Sequence, residues 1–286
     1  MKMIKPYLFL LLFSVIQTAC NNYIEDLALF RNEASNAHVD EYHLDDSLSA
    51  FPENQWKLFD SIGGIETDGL LLKCDTTAAP HSNKVVLFFG GQDMCLLSNV
   101  GVAKRFIQCG VDCFVIDFRG YGRSYDSFTP SEQSFYEDGT EAYRFLIDSL
   151  GYTSDAIILS GFSLGTGVAI DLASRFPQFM TVLFAAYASM DDMVETQSGG
   201  YNIPGSWFLQ ARFNNIDKIS KISAPVCFFS GKNDCMIPSE HTMELYNRVS
   251  GPKAAYYLSG QDHNRFVPDA FSQWKPLFEN FLKEMS

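Results

Sequence analysis

Hydrophobic residues in this chain come in short unbroken blocks rather than in alternation. Lys84-Val85-Val86-Leu87-Phe88-Phe89 runs into Gly90-Gly91, Cys113-Phe114-Val115-Ile116 into Asp117, and Ala156-Ile157-Ile158-Leu159 into Ser160-Gly161. Val182-Leu183-Phe184-Ala185, Val226-Cys227-Phe228-Phe229 and Ala255-Tyr256-Tyr257-Leu258 continue the series. A strand with one wet face alternates, whereas a strand covered on both faces does not, so these blocks predict a parallel sheet between layers of helices. The intervening stretches 96–109, 133–150, 164–176, 239–249 and 266–284 carry apolar residues at helical spacing. Strand and helix in alternation predict a doubly wound α/β domain over 61–286. An antiparallel sheet would need short hairpin turns, and none separates the main blocks. Only 189–223 breaks the rhythm: it has Gly199-Gly200, Pro204-Gly205 and scattered aromatics but no strong apolar block, which predicts a lid or an irregular insert.

The N-terminus follows a different logic. Lys2 and Lys5 precede the apolar run Tyr7 to Ile16, and Gln17-Thr18-Ala19-Cys20 follows. A basic start, about ten apolar residues and a small residue at the cut describe an export signal over 1–19, too short to span a bilayer comfortably. The residue after the cut is Cys20, so the segment resembles a bacterial lipoprotein signal in which Cys20 is lipidated and anchors the chain to the cell envelope. Gln17, where such signals usually have an aliphatic residue, departs from the pattern. A plain signal peptide cut nearby, giving a secreted or periplasmic protein, and an uncleaved anchor are the alternatives. Residues 20–60 are polar and acidic and read as a tether or an extension packed loosely on the domain.

Composition narrows the partners. A formal charge of −13 repels polynucleotides and anionic head groups at long range, which excludes a nucleic-acid partner. Cys74, Cys95, Cys109, Cys113, Cys227 and Cys235 form an even set that permits disulfides in an exported protein. Their spacing does not resemble a metal site, and Cys113 and Cys227 lie inside apolar blocks, so mostly free thiols are expected.

In open α/β sheets the chemistry sits beyond the carboxyl ends of the strands. Gly161-Phe162-Ser163-Leu164-Gly165 follows one such end and opens a helix. A sharp turn there lifts the Ser163 hydroxyl clear of the backbone, and the N–H of Leu164 can donate to an oxyanion. Asp234 follows the Val226–Phe229 block and His263 follows the last block, so the chain order is Ser, Asp, His, each after a strand. A serine hydroxyl is a poor nucleophile without a base; His263 supplies one, and Asp234 fixes its tautomer. Asp262 is too close in sequence to His263 for that task. Phe89-Gly90-Gly91-Gln92 is the turn expected to bring a second oxyanion donor, the N–H of Gln92. A capping serine, a solvated acid and a surface histidine are the ordinary fates of these types; their joint placement argues otherwise.

These residues resemble the α/β-hydrolase superfamily, in its serine aminopeptidase and monoacylglycerol lipase-like branch, from about residue 65 to the C-terminus. Phe89-Gly90-Gly91-Gln92 resembles the branch's His-Gly-Asn turn, and Asp117-Phe118-Arg119-Gly120-Tyr121-Gly122-Arg123-Ser124 its Asp-x-Arg-Gly-x-Gly-x-Ser segment. The acid loop to Asp234 with Pro238, and Gly260-Gln261-Asp262-His263, complete the likeness. It implies an α/β-hydrolase fold, a mostly parallel central sheet flanked by helices with a lid or insert segment, and a serine hydrolase acting on a small or lipid-like acyl substrate, preferably a carboxylic ester, without metal or organic cofactor. Gly90 departs from the usual His. The Arg119 and Arg123 segment is implied to be a structural turn. Tyr201, Trp207, Phe208 and Phe213 suggest an apolar acyl pocket under the lid, although such residues more often fill core. The competing expectation is a non-catalytic binding protein of the same fold, tethered to the envelope.

Overall fold

The computed structural model describes residues 29–30, 44, 46–75, 82–92, 94–124, 129–199, 209–264 and 266–286. Eight strands form one sheet: β1 Trp56–Phe59, β2 Gly69–Leu72, β3 Val85–Phe89, β4 Asp112–Ile116, β5 Ile157–Phe162, β6 Met180–Phe184, β7 Val226–Gly231 and β8 Lys253–Leu258. Their order is β1-β2-β4-β3-β5-β6-β7-β8. From β4 to β8 every pairing is parallel, with Leu87 opposite Phe114 on one side and Leu159 on the other. The six expected blocks are these six parallel strands.

Each block lacks alternation because both of its faces are covered. Val85, Leu87 and Phe89 of β3 point into one hydrophobic cluster, and Val86 and Phe88 into the other. The first cluster receives α2 Glu132–Asp148, α3 Leu164–Arg175, α5 Asn215–Ile219 and α6 Ser239–Arg248. The second receives α1 Leu96–Ile107, α7 Phe266–Asp269 and α8 Phe271–Met285, centred on Phe106, Phe184 and Trp274. Such strands bury about 1.5–3 kcal/mol of transfer free energy per large apolar side chain.

The sheet is mostly parallel, as the α/β-hydrolase likeness implied, and three features were not located from the sequence. β1 and β2 are an antiparallel pair at the sheet edge, and β2 runs antiparallel to β4. β1 lies ahead of residue 61, and upstream of it Phe30, Leu44 and Leu48 are buried in the two clusters, which ties the described part of the N-terminal stretch to the domain. Tyr121 also donates a hydrogen bond to the Phe30 carbonyl. In the 189–223 interval, α4 Met190–Gln197 and α5 are regular, and Phe213 is fully buried against Tyr136 and Tyr187. Phe213 is therefore core, not pocket wall; Tyr201, Trp207 and Phe208 lie outside the described residues.

The Asp117–Ser124 segment is a junction. Asp117, fully buried, accepts from the Leu96 amide at 2.6 Å and the Arg123 amide at 2.8 Å, so one carboxylate caps α1 and closes the turn after β4. At Gly122 (φ +48°) a Cβ would sit 2.4 Å from that carboxylate, so only glycine fits. Arg119 pairs with Asp138 and Glu137, and Arg123 with Asp68 and Asp60. Both arginines thus hold loops, as the resemblance implied.

Burial pushes the Asp117 carboxyl up from 3.8 to about 7, outweighing its two amide donors. A raised pKa means the folded state holds the proton more tightly than the unfolded state. The resulting stabilisation is complete below about 3.8 and is lost as pH rises through about 7. Asp117→Asn does not titrate and so supplies a pH-independent reference. The stability of the parent relative to this variant should therefore fall between pH 4 and 7, by up to about 1.4 kcal/mol per unit. Paired denaturant titrations across that range check it; a pH-independent difference contradicts it.

Candidate active site

Ser163 sits between β5 and α3 with φ 52° and ψ −121°, a conformation that costs a non-glycine residue about 1–3 kcal/mol. The surroundings enforce it. The Ser163 amide donates to the Phe184 carbonyl of β6 at 3.0 Å. Its carbonyl accepts from the Thr166 amide at 2.9 Å and the Thr166 hydroxyl at 2.6 Å. A Cβ at Gly161 would lie 2.3 Å from the Gly165 carbonyl oxygen, and one at Gly165 would lie 2.2 Å from that of Phe89. The two glycines therefore let the turn close onto itself and onto the end of β3.

The other two residues come from loops that are zipped together. Asn233 N donates to the Gln261 carbonyl at 3.0 Å and Lys232 N to the Leu258 carbonyl at 2.9 Å. A Cβ at Gly231 would meet the same Gln261 oxygen at 2.6 Å. Asp234 is buried, and its Oδ1 accepts from the amides of Met236 at 3.0 Å and Ile237 at 2.8 Å. That leaves Oδ2 for His263 Nδ1, 2.8 Å away. His263 Nε2 in turn lies 3.0 Å from Ser163 Oγ. The Phe162 ring packs on the imidazole at 5.0 Å between centroids. Structure thus brings Ser163, His263 and Asp234, separated by up to a hundred residues, into one hydrogen-bonded line. Asp262 is exposed and takes no part in it.

The Gly90-Gly91-Gln92 turn lies directly against Ser163: a Cβ at Gly91 would be 3.3 Å from that of Ser163. Gln92 lines the same cavity as Ser163 and His263. Leu164 opens α3, where a first-turn amide has no intrahelical acceptor. The absence of His at position 90 has a steric reason. A Cβ there would lie 2.8 Å from that of Met94 and 3.0 Å from the Asn99 side chain, which fill the space.

The cavity at the serine measures about 480 Å³, within the usual range for a small-molecule site. Its walls are Met94, Leu97 and Val102 on one side and Phe266 and Val267 on the other. The described walls therefore come from the α1 and α7 side of the sheet, not from the insert where the apolar pocket was expected. No sequence pattern marked these residues, because at helical spacing a pocket wall and a core face look alike. The six described-domain cysteines are free; Cys235 is exposed beside the acid loop and the other five are buried. Among the described residues no cluster of His, Cys, Asp or Glu could hold a metal ion. Cys20 lies outside the described residues.

Comparisons with known proteins agree with the fold. Residues 79–216 match the family model for serine aminopeptidase, S33. The human alpha/beta hydrolase domain-containing protein 17B is 30% identical over 215 residues, 72% of this chain and 68% of that protein. The Xenopus tropicalis protein of the same name is 30% identical over 195 residues, so the match spans 62% of that relative's length and 65% of this chain. An α/β hydrolase from Vibrio vulnificus superposes with a TM-score of 0.71 at 16% identity, covering 91% of this chain and 92% of that one. An esterase from Pyrococcus furiosus gives 0.64 at 19%, covering 85% and 95%; at such identities these two likenesses show the fold alone. With the human relative beside them, this chain belongs to the α/β hydrolases.

Proposed function

We propose that this hydrolase cleaves a carboxylic ester, or a thioester or amide, of a small or lipid-like substrate through an acyl-enzyme on Ser163. The observation that carries the proposal is the continuous line Ser163 Oγ, His263 Nε2, His263 Nδ1, Asp234 Oδ2, with contacts of 3.0 and 2.8 Å. Ser163 Oγ attacks the carbonyl carbon while His263 Nε2 takes its proton, then returns it to the leaving group. Asp234, its other oxygen held by two amides, keeps the imidazole in the tautomer with the proton on Nδ1. The N–H groups of Leu164 and Gln92 receive the oxyanion, a role supported by their positions at the helix start and at the turn against Ser163. Water then repeats the sequence on the acyl-enzyme. The apolar walls favour a substrate with a hydrocarbon part. A purely binding role has no observation in its favour, since every member of the line is present and connected.

We further propose export through residues 1–19 and lipidation at Cys20, which attaches the enzyme to an envelope membrane. The basic start, the short apolar run and the small residues before Cys20 support it.

Ser163→Ala should lose labelling by a fluorophosphonate probe and lower esterase kcat by at least about a thousandfold, without loss of fold. A variant that keeps parental activity rejects Ser163 as nucleophile. Asp234→Asn should cost on the order of 10³–10⁴ in kcat with little change in KM, because the imidazole adopts the wrong tautomer. Mass analysis of the mature N-terminus should find a lipid-modified Cys20; an unmodified residue there rejects the anchor.

A further inference from the structure

Gly101 occupies the middle of α1, Leu96–Ile107, where glycine is among the least favourable choices. Its backbone does not require it: Gly101 is absent from the residues with positive φ. Close packing does not require it either. Gly101 is exposed, and apart from its chain neighbours and the adjacent backbone of its own helix no described heavy atom lies within 4 Å of where its Cβ would be. The contrast with Gly139, Gly161, Gly165 and Gly167 is direct, since a Cβ at each of those would meet another atom at 2.7 Å or less. What Gly101 does touch is the cavity at Ser163, which it lines together with Leu97, Ser98 and Val102 of the same helix.

Residues 97, 98, 101 and 102 share one face of α1, and Phe266, Val267 and Pro268 of α7 form the facing wall. Gly101 lies about 6 Å further along the helix axis than Leu97, so the lining that α1 gives the cavity runs for roughly a helical turn. We propose that this groove between α1 and α7 is the subsite for an unbranched hydrocarbon arm of the substrate, and that Gly101 sets the length it accepts. The proposal rests on the Ser163 hydrolase reading and adds to it where the apolar part of the substrate goes. Both wall types suit that ligand. Leu97, Val102, Phe266 and Val267 offer apolar surface, and Ser163 and His263 line the same cavity, so the scissile bond and the arm share it. The hydrocarbon arm can belong to the acyl group or to the alcohol, and two substrate series separate these sources.

The test uses the full chain with Gly101→Ala, Gly101→Leu and Gly101→Phe. One series is ethyl esters of acids from acetate to laurate; the other is acetate esters of alcohols from ethanol to dodecanol. The kcat/KM of each ester is expressed relative to that of ethyl acetate in the same variant, so a loss common to all substrates drops out. For long arms in one series, kcat/KM should fall progressively, by about tenfold or more for Phe, mainly through KM. The series that responds identifies the arm. Removing a helix-interior glycine should leave Tm unchanged or raised, so misfolding does not mimic the effect. If the chain-length profiles of the parent and of Gly101→Phe coincide in both series, the groove is not the subsite although the hydrolase stands. If Ser163 takes the fluorophosphonate label but no ester of either series is turned over, the subsite fails; if it takes no label either, the hydrolase reading fails with it.

Discussion

The first turn of α3 is pressed against the end of β3, and the geometry of the site depends on that contact. With a Cβ at Gly165 only 2.2 Å from the Phe89 carbonyl oxygen, no other residue allows the helix to start there. This close approach sets Ser163 beside the Gly90-Gly91 turn, so the arrangement of the Ser163 hydroxyl and the neighbouring amides is fixed by backbone packing rather than by side chains. The strain at Ser163 is tolerated because both of its peptide groups are hydrogen-bonded, to β6 and to Thr166. A strained residue persists only where its neighbours over-determine it, and here the sheet supplies that determination.

The remaining parts are held by polar groups placed where apolar packing gives no direction. Asp117 ties the start of α1 to the turn after β4, and α1 is one wall of the cavity. The Gln261 carbonyl accepts from Asn233, which locks the histidine loop to the acid loop. Buried carboxylates of this kind contribute little net stability compared with the hydrophobic clusters, but removing one strands its donors. They specify loop positions to within a fraction of an ångström, which hydrophobic burial, being non-directional, does not.

The alternation of blocks and helical stretches was sufficient to read six parallel strands and the main helices, because burial on both faces imposes an unbroken apolar run. Ser163, Asp234 and His263 were legible for a related reason: each follows a strand, and strand ends converge on one edge of a parallel sheet. Gly161 and Gly165 declared the turn through steric need alone. The antiparallel edge was not legible, since Trp56–Phe59 is a short strand of mixed polarity and Gly69–Leu72 an isolated apolar run with no helical neighbour. Burial of Phe30, Leu44 and Leu48 was hidden as well, because short apolar groups in a polar, acidic stretch do not show what they pack against.

Sequence alone therefore determined the layer architecture and which residue types stand at the sheet's carboxyl edge, since both follow from local periodicity and chain order. Only the tertiary structure decided that Asp234, His263 and Ser163 share one hydrogen-bonded line, that Phe213 is core, and that the cavity is walled by α1 and α7. Those facts depend on which helix faces meet across the sheet. Helical spacing tells that a face is buried, and it does not tell against what.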